Sequence, residues 1–175
     1  MGIGKQTVQL APHCFQRATI LHELMHSLGF HHEHARRDRD PYIRILWHNV
    51  NPNHTGHFKV HSMGEHTYST PYDYASLMHY DSQMGSANGQ PTIVRSLQTK
   101  ALWGVDFAEE KDLVIEPAST LSLMDAVRLN ELYNCDTSGC ANYYPYCDKY
   151  ESMGACSEAA QFMRSLCKWS CGGQC

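Results

Sequence analysis

The run HELMHSLGFHHEHAR at residues 22–36 holds the side chains of this chain best suited to chemistry. His22 and His26 are four apart, so on an α-helix they project from one face and can offer two imidazoles to one metal ion. Glu23 lies one step round that helix, close enough to take a proton from a metal-bound water without itself being a ligand. Gly29 can adopt the left-handed conformation that ends a helix and turns the chain back, which carries His32 to a third ligand position. Three neutral imidazoles with one open position describe a hydrolytic centre built on a single zinc ion. Surface histidines on an amphipathic helix are the competing explanation. It leaves the glycine and the third histidine, at their fixed spacing, unaccounted for.

A helix from about Cys14 to Leu28 must present these groups, with Phe15, Ile20, Leu21, Leu24, Met25 and Leu28 as its apolar face. Gln6 to Leu10 alternates weakly and reads as a short strand. Tyr42 to Trp47 reads as another, with Ile43 and Ile45 alternating with Tyr42 and Arg44. Asn49 to Gly56 is rich in Asn, Pro and Gly and reads as loop; within it Asn53-His54-Thr55 is a glycosylation sequon. Ser122 to Tyr133 reads as a helix with Ser122 as N-cap and Asp125 completing a capping-box pattern.

Downstream, residues 72–80 read YDYASLMHY, and Met78 stands where a methionine turn follows the extended zinc motif in metzincins. With GFHHEHARRDRD at 29–40, SLMHY at 76–80 and LSLMDAVRLNELYNC at 121–135, the chain resembles the astacin branch of the metzincins. The resemblance implies an α+β fold: a catalytic domain over residues 1–135 with a zinc helix, a Met-turn lower subdomain and most of the upper sheet missing. It implies His22, His26 and His32 as ligands of one Zn2+, and Glu23 as the base that later protonates the leaving amine. Tyr80 matches the tyrosine that stabilises the transition state, Met78 the methionine beneath the metal, and Gly29 the turn. Glu33 matches the glutamate that bonds to the amino terminus created when a propeptide is removed. The reaction implied is hydrolysis of peptide bonds in protein or peptide substrates, with no covalent intermediate.

The chain has 175 residues, enough for one substantial core and a small module. Its net charge of −4 gives no sign of a nucleic-acid partner or a polybasic membrane surface, and no run of eighteen apolar residues suggests a transmembrane segment. Beyond the three proposed ligands, His13, His31, His34, His48, His54, His57, His61, His66 and His79 read as surface or loop residues. Six of the eight cysteines, Cys140, Cys147, Cys156, Cys167, Cys171 and Cys175, lie in the tail. So short a segment needs cross-links to hold a fold, and its spacing lacks the C-x-x-C pairs of structural zinc modules. Three disulfides and an oxidising, secreted setting follow, with fifteen pairings open.

After a linker at 136–139, the tail at 140–175 resembles a ShKT domain, through its six cysteines, Asp148, and FMRSLCKWSC at 162–171. That resemblance implies the bridges Cys140–Cys175, Cys147–Cys167 and Cys156–Cys171 in a small helical module. Channel-blocking toxins of this fold carry a Lys-Tyr pair where this chain has Gln161 and Phe162. Docking to a protein partner is therefore expected of the module, rather than channel block. Two features depart from the astacin pattern. Only about a dozen residues precede the zinc helix, and Cys14 and Cys135 match cysteines whose partners lie further upstream. No secretory signal is visible in MGIGKQTVQL. These features lead to the expectation that the sequence is the carboxy-terminal part of a longer precursor. Arg95 to Pro117 replaces a shorter connection; its acidic residues lack the spacing of a calcium loop and read as a solvated face. A secreted binding protein that merely presents the tail is the alternative to an active protease. Retention of Glu23 and all three histidines favours the enzyme.

Overall fold

The computed structural model describes residues 5–61, 70–96, 113–133, 142, 147–158, 167 and 169–171. Helix α1, Arg17–Ser27, starts three residues later than the apolar pattern suggests. Pro12–Cys14 forms a separate 3-10 turn, and Gln16 is extended (φ −109°, ψ 144°), so Phe15 stands outside the helical period and is 67% exposed. Leu24, on the outer flank of the expected stripe, is also exposed, whereas Met25 is buried. The helix ends in a Schellman turn: Gly29 takes φ 95°, its N–H donates to His26 O, and Phe30 N–H donates to Met25 O. Met25 and Phe30, at the two positions where such a turn usually carries apolar residues, are both buried.

Strand β1, Ile43–Ile45, pairs antiparallel with β2, Ile93–Arg95, in the register Ile43↔Arg95, Arg44↔Val94 and Ile45↔Ile93. A core of Ile43, Val50, Phe58, Tyr72, Ile93 and Ile115 packs around this ribbon. Two strands alone are marginal in water, so this burial must stabilise them. Ser82 stitches the ribbon to the chain beyond it: its Oγ donates to Ile93 O (2.6 Å) and accepts from Ile115 N–H (2.8 Å). The expected strand at Gln6–Leu10 is absent; that stretch is irregular and largely exposed, with no pairing strand among the described residues. The expected loop at 49–56 is tighter than composition suggested. Trp47–Asn49 and Pro52–Phe58 are 3-10 turns, the second opened by Pro52 and by Asn51 Oδ1 accepting Asn53 N–H.

By packing, the chain divides into two compact units, one from Met1–Thr67 and Tyr72–Leu121, the other from Tyr68–Pro71 and Ser122–Cys175. In the second, helix α2, Leu123–Tyr133, opens with a complete capping box. Asp125 N–H donates to Ser122 Oγ, and Ser122 N–H donates to Asp125 Oδ2, each at 3.0 Å. Arg128, buried on α2, donates to Thr70 Oγ1 and to Pro71 O. Val127 packs on Cys147 and Cys167. Cys147 begins α3, Cys147–Ser152, and α4 follows at Ala155–Glu158. Disulfides join Cys147 to Cys167 and Cys156 to Cys171. The expected Cys140–Cys175 bridge, Cys135 and most of the acidic stretch before Pro117 lie outside the described residues, while Cys14 has a free thiol. None of the described helices is long and apolar enough to cross a membrane.

One correction concerns the first core. His79, read from sequence as a surface or loop residue, is buried. Its Nε2 accepts the Tyr72 hydroxyl at 2.7 Å, and its Nδ1–H donates to Tyr80 O at 2.6 Å. Both bonds suit a neutral ring. Burial lowers the His79 pKa to about 4, against the opposing effect of the Tyr80 carbonyl. An unfolded His79 takes up its proton near pH 6.5, before the folded one does. Its contribution to stability is therefore complete above pH 6.5 and is lost as pH falls from about 6.5 to 4.

Two outcomes follow. Urea-unfolding free energy should decline on acidification through that window. In His79→Gln the decline near pH 5 should be shallower by roughly 1 kcal/mol per pH unit; an identical slope would mean that His79 is not held neutral. Replacing Ser122 with Ala should destabilise the second unit by about 1 kcal/mol, seen as a lower urea midpoint, while Ser122→Asp should retain most of it.

Candidate metal centre and active site

Helix α1 places His22 and His26 on one face, and the reversal at Gly29 brings the His32 ring back to them. The three Nε2 atoms converge: His32 Nε2 lies 3.1 Å from His22 Nε2 and 3.2 Å from His26 Nε2. Among the described residues this is the one His, Cys, Asp and Glu cluster able to hold a metal ion. The far side of each helical ring is fixed by the main chain. His22 Nδ1 donates to Leu77 O at 2.9 Å, and His26 Nδ1 donates to Phe30 O at 2.8 Å. A carbonyl only accepts, so both Nδ1 atoms carry hydrogen and both Nε2 atoms present lone pairs inward. His32 can donate a proton to one of them at most. Lone pairs so close need a cation between them. Tetrahedral zinc bonds of roughly 2.0–2.1 Å would set the nitrogens about 3.3–3.4 Å apart. Donor type, tautomer and spacing all fit zinc.

Electrostatics agree. Burial, then the neighbouring His34, His26, His22 and His61, lower the His32 pKa to about 2, so this ring stays neutral and ready to bind. The residues after it form a buried polar girdle. Glu33, fully buried, accepts Arg36 Nη1 at 3.0 Å and Asp73 N–H at 2.8 Å, and its own N–H donates to Met78 O. Arg36 also forks onto Asp38 at 2.8 and 2.7 Å, while Arg39 donates to His34 O and Phe58 O. The turn that precedes Tyr80 is thereby tied to both parts of the metal motif: Leu77 O holds His22, and Met78 O holds Glu33. Met78 itself is buried.

Tyr80 reaches the cluster from this turn. Its ring is tilted on His32 at 4.6 Å and stacked on His34 at 3.9 Å. Burial, then the charge of Glu23, raises its pKa, keeping the hydroxyl protonated and able to donate. His34 is the second histidine that sequence placed wrongly at the surface. It is fully buried, donates Nε2–H to His57 O at 2.9 Å, and burial lowers its pKa to about 3. Sequence gave no signal for His34, nor for the Leu77 and Phe30 carbonyls. The run around His34 has too few apolar residues to show a periodicity, and a carbonyl is present whatever the side chain. A cleft of about 530 Å³ joins His22, Glu23, His26, His32 and Tyr80 in one open space.

Comparison with known proteins places the chain in two families. The astacin peptidase family matches residues 1–134, and the family described as "ShK domain-like" matches residues 139–175. The chain is 42% identical over 135 residues to zinc metalloproteinase nas-6 of Caenorhabditis elegans, covering 77% of this chain and 36% of that protein. It is 36% identical over 137 residues to nas-15 of the same animal, covering 78% and 22%. Against astacin-like metalloendopeptidase of Mus musculus, the figures are 41% over 139 residues, 77% and 28%. Among solved structures, the hatching enzyme zinc-protease high choriolytic enzyme 1 of Oryzias latipes superposes with a TM-score of 0.52 at 36% identity. The match covers 67% of this chain and 52% of that one. The chain thus spans about a fifth to a third of the length of these curated relatives. From its metal motif through α2, this chain belongs to the astacin family of zinc metalloproteinases, and a ShK-like domain follows.

Proposed function

We propose that the protein is a secreted zinc-dependent endopeptidase, with a protease domain at 1–135, a linker at 136–139 and a ShK-like domain at 140–175 that docks to a protein partner. The observation that carries the reading is the trio of imidazoles, two of them locked by carbonyls, with lone pairs converging beside Glu23 and Tyr80 in one open cleft. Bound zinc would supply Lewis acidity toward water and the scissile carbonyl. His22, His26 and His32 would hold it. Glu23 takes the proton of the attacking water and returns it to the departing amine. Tyr80, kept protonated, donates a hydrogen bond to the oxygen on which negative charge develops. Family membership supports this chemistry, and the two disulfides support an oxidising, extracellular setting. The exposed Asn53 sequon is compatible with that route.

In the full-length protein, Glu23→Gln should retain one zinc by metal analysis and lose turnover by about 100-fold or more. Undiminished cleavage would remove Glu23 from the reaction. His32→Ala should weaken zinc binding by at least about 100-fold, read with a competing chelator. Wild-type affinity in that variant would refute the ligand set. Tyr80→Phe should lower kcat by roughly 10- to 100-fold with little change in KM. An effect on KM alone would make Tyr80 a substrate-binding residue instead.

A further inference from the structure

The sequon Asn53-His54-Thr55 takes no part in the metal centre, and the hydrolytic reaction has no use for it. It lies on the 3-10 turn Pro52–Phe58, in which side chains three apart stand one above the other. The turn therefore has three edges, and each meets different surroundings. Pro52, Thr55 and Phe58 share the first, and the fully buried Phe58 carries it into the core around the β1–β2 ribbon. His54 and His57 share the second, with rings edge-on at 5.8 Å, and His57 lines the metal-binding cleft. Asn53 and Gly56 form the third. Asn53 is exposed, and a Cβ built on Gly56 would find nothing within 4 Å. This edge faces open space.

Local bonding leaves the Asn53 amide uncommitted. The main-chain N–H of Asn53 donates to Asn51 Oδ1, and Thr55 Oγ1 donates to Pro52 O, each at 3.0 Å. No hydrogen bond among the described residues engages the Asn53 side chain. The turn is held from its other edges instead: Arg39 donates to Phe58 O, and His34 Nε2–H donates to His57 O. A bulky polar group on Asn53 Nδ2 would displace no partner and disturb no buried contact.

We propose that Asn53 is an N-glycosylation site whose glycan stands on the outward edge of the turn, beside the cleft and clear of it. The donor is an oligosaccharide linked to a polyprenyl diphosphate. Asn53 Nδ2 forms a bond to the anomeric carbon of the first sugar and gives up a proton to a base of the transferase. The sugar–phosphate bond breaks, and the lipid diphosphate leaves with its electron pair. Thr55 supplies the hydroxyl that completes the acceptor motif, and the sugar adds a large hydrophilic group to this face. The inference rests on the proposed secretion.

Its test uses the full-length protein made in cultured animal cells. Peptide:N-glycanase in heavy-oxygen water should lower the intact mass by one glycan. It should also leave a carboxylate bearing one heavy oxygen at position 53, read by peptide mass spectrometry. Asn53→Gln and Thr55→Ala should each abolish that mass loss, and Thr55→Ser should keep it. Affinity for a short peptide hydroxamate, which binds through the metal without turnover, should agree within about twofold between wild type and Asn53→Gln. A secreted, disulfide-bonded protein with bare Asn53 would overturn the site and leave the secreted reading standing. A glycan whose loss changes hydroxamate affinity by about tenfold or more would overturn its placement clear of the cleft. Protein retained in the cytosol with reduced cysteines would overturn the secreted reading and the site together.

Discussion

Three converging imidazole nitrogens, with His32 Nε2 within hydrogen-bond distance of both the others and too few protons to separate them, are the constraint around which the first unit is arranged. Such a cluster repels itself unless a cation enters it, so the fold must hold it together from outside. Two devices do so. The Schellman turn at Gly29 ends α1 one turn past His26, and its next residue, Phe30, supplies the carbonyl that fixes the His26 ring. The segment at Leu77 and Met78 then clamps both arms of the motif, His22 through one carbonyl and the Glu33 amide through the next. The helix, the reversal and the downstream turn thus form one support for a single metal.

That support is in turn anchored by charge buried behind it. Glu33 and Arg36 are both withdrawn from water, which on solvation grounds alone is costly. Their cost is offset by added partners: Asp38 takes the guanidinium fork and Asp73 N–H donates to the carboxylate. Arg39, paired with Asp40 at 3.4 Å, also closes two carbonyls on neighbouring turns. A polar network of this kind fixes one arrangement of the chain more sharply than an apolar filler of equal volume, because any shift strands a buried hydrogen-bonding group. The imidazole cluster has little tolerance for such shifts.

The sequence disclosed those parts of the site and fold whose signals are local. His22, Glu23, His26, Gly29 and His32 are spaced by helix geometry and a turn, and the capping box of Ser122 and Asp125 is a rule about four consecutive residues. The Ile43–Ile45 strand was visible as alternation. What failed depended on distant parts of the chain. His34 and His79 look like surface histidines until the His57 carbonyl and the Tyr72 hydroxyl fold over them. The Gln6–Leu10 alternation has no strand to pair with among the described residues, and the compact turn at Pro52–Phe58 was hidden in a composition that reads as loop. The close approach of Gly85 to Phe58 was also illegible, since the two meet only in three dimensions.

The way the helical ligands are oriented has an evolutionary consequence. Leu77 and Phe30 act on His22 and His26 through main-chain oxygens, which every amino acid possesses. Where a carboxylate side chain fills this role, a single codon change can remove it. Here the genetic code has no such change to offer: only a shift of the backbone itself can loosen the imidazoles. Sequence drift at these two positions is therefore filtered by whether the turn keeps its shape, rather than by what the side chain can donate or accept. The metal site is correspondingly robust to mutation in its immediate surroundings, and its vulnerability is displaced to residues that set the turns, above all Gly29.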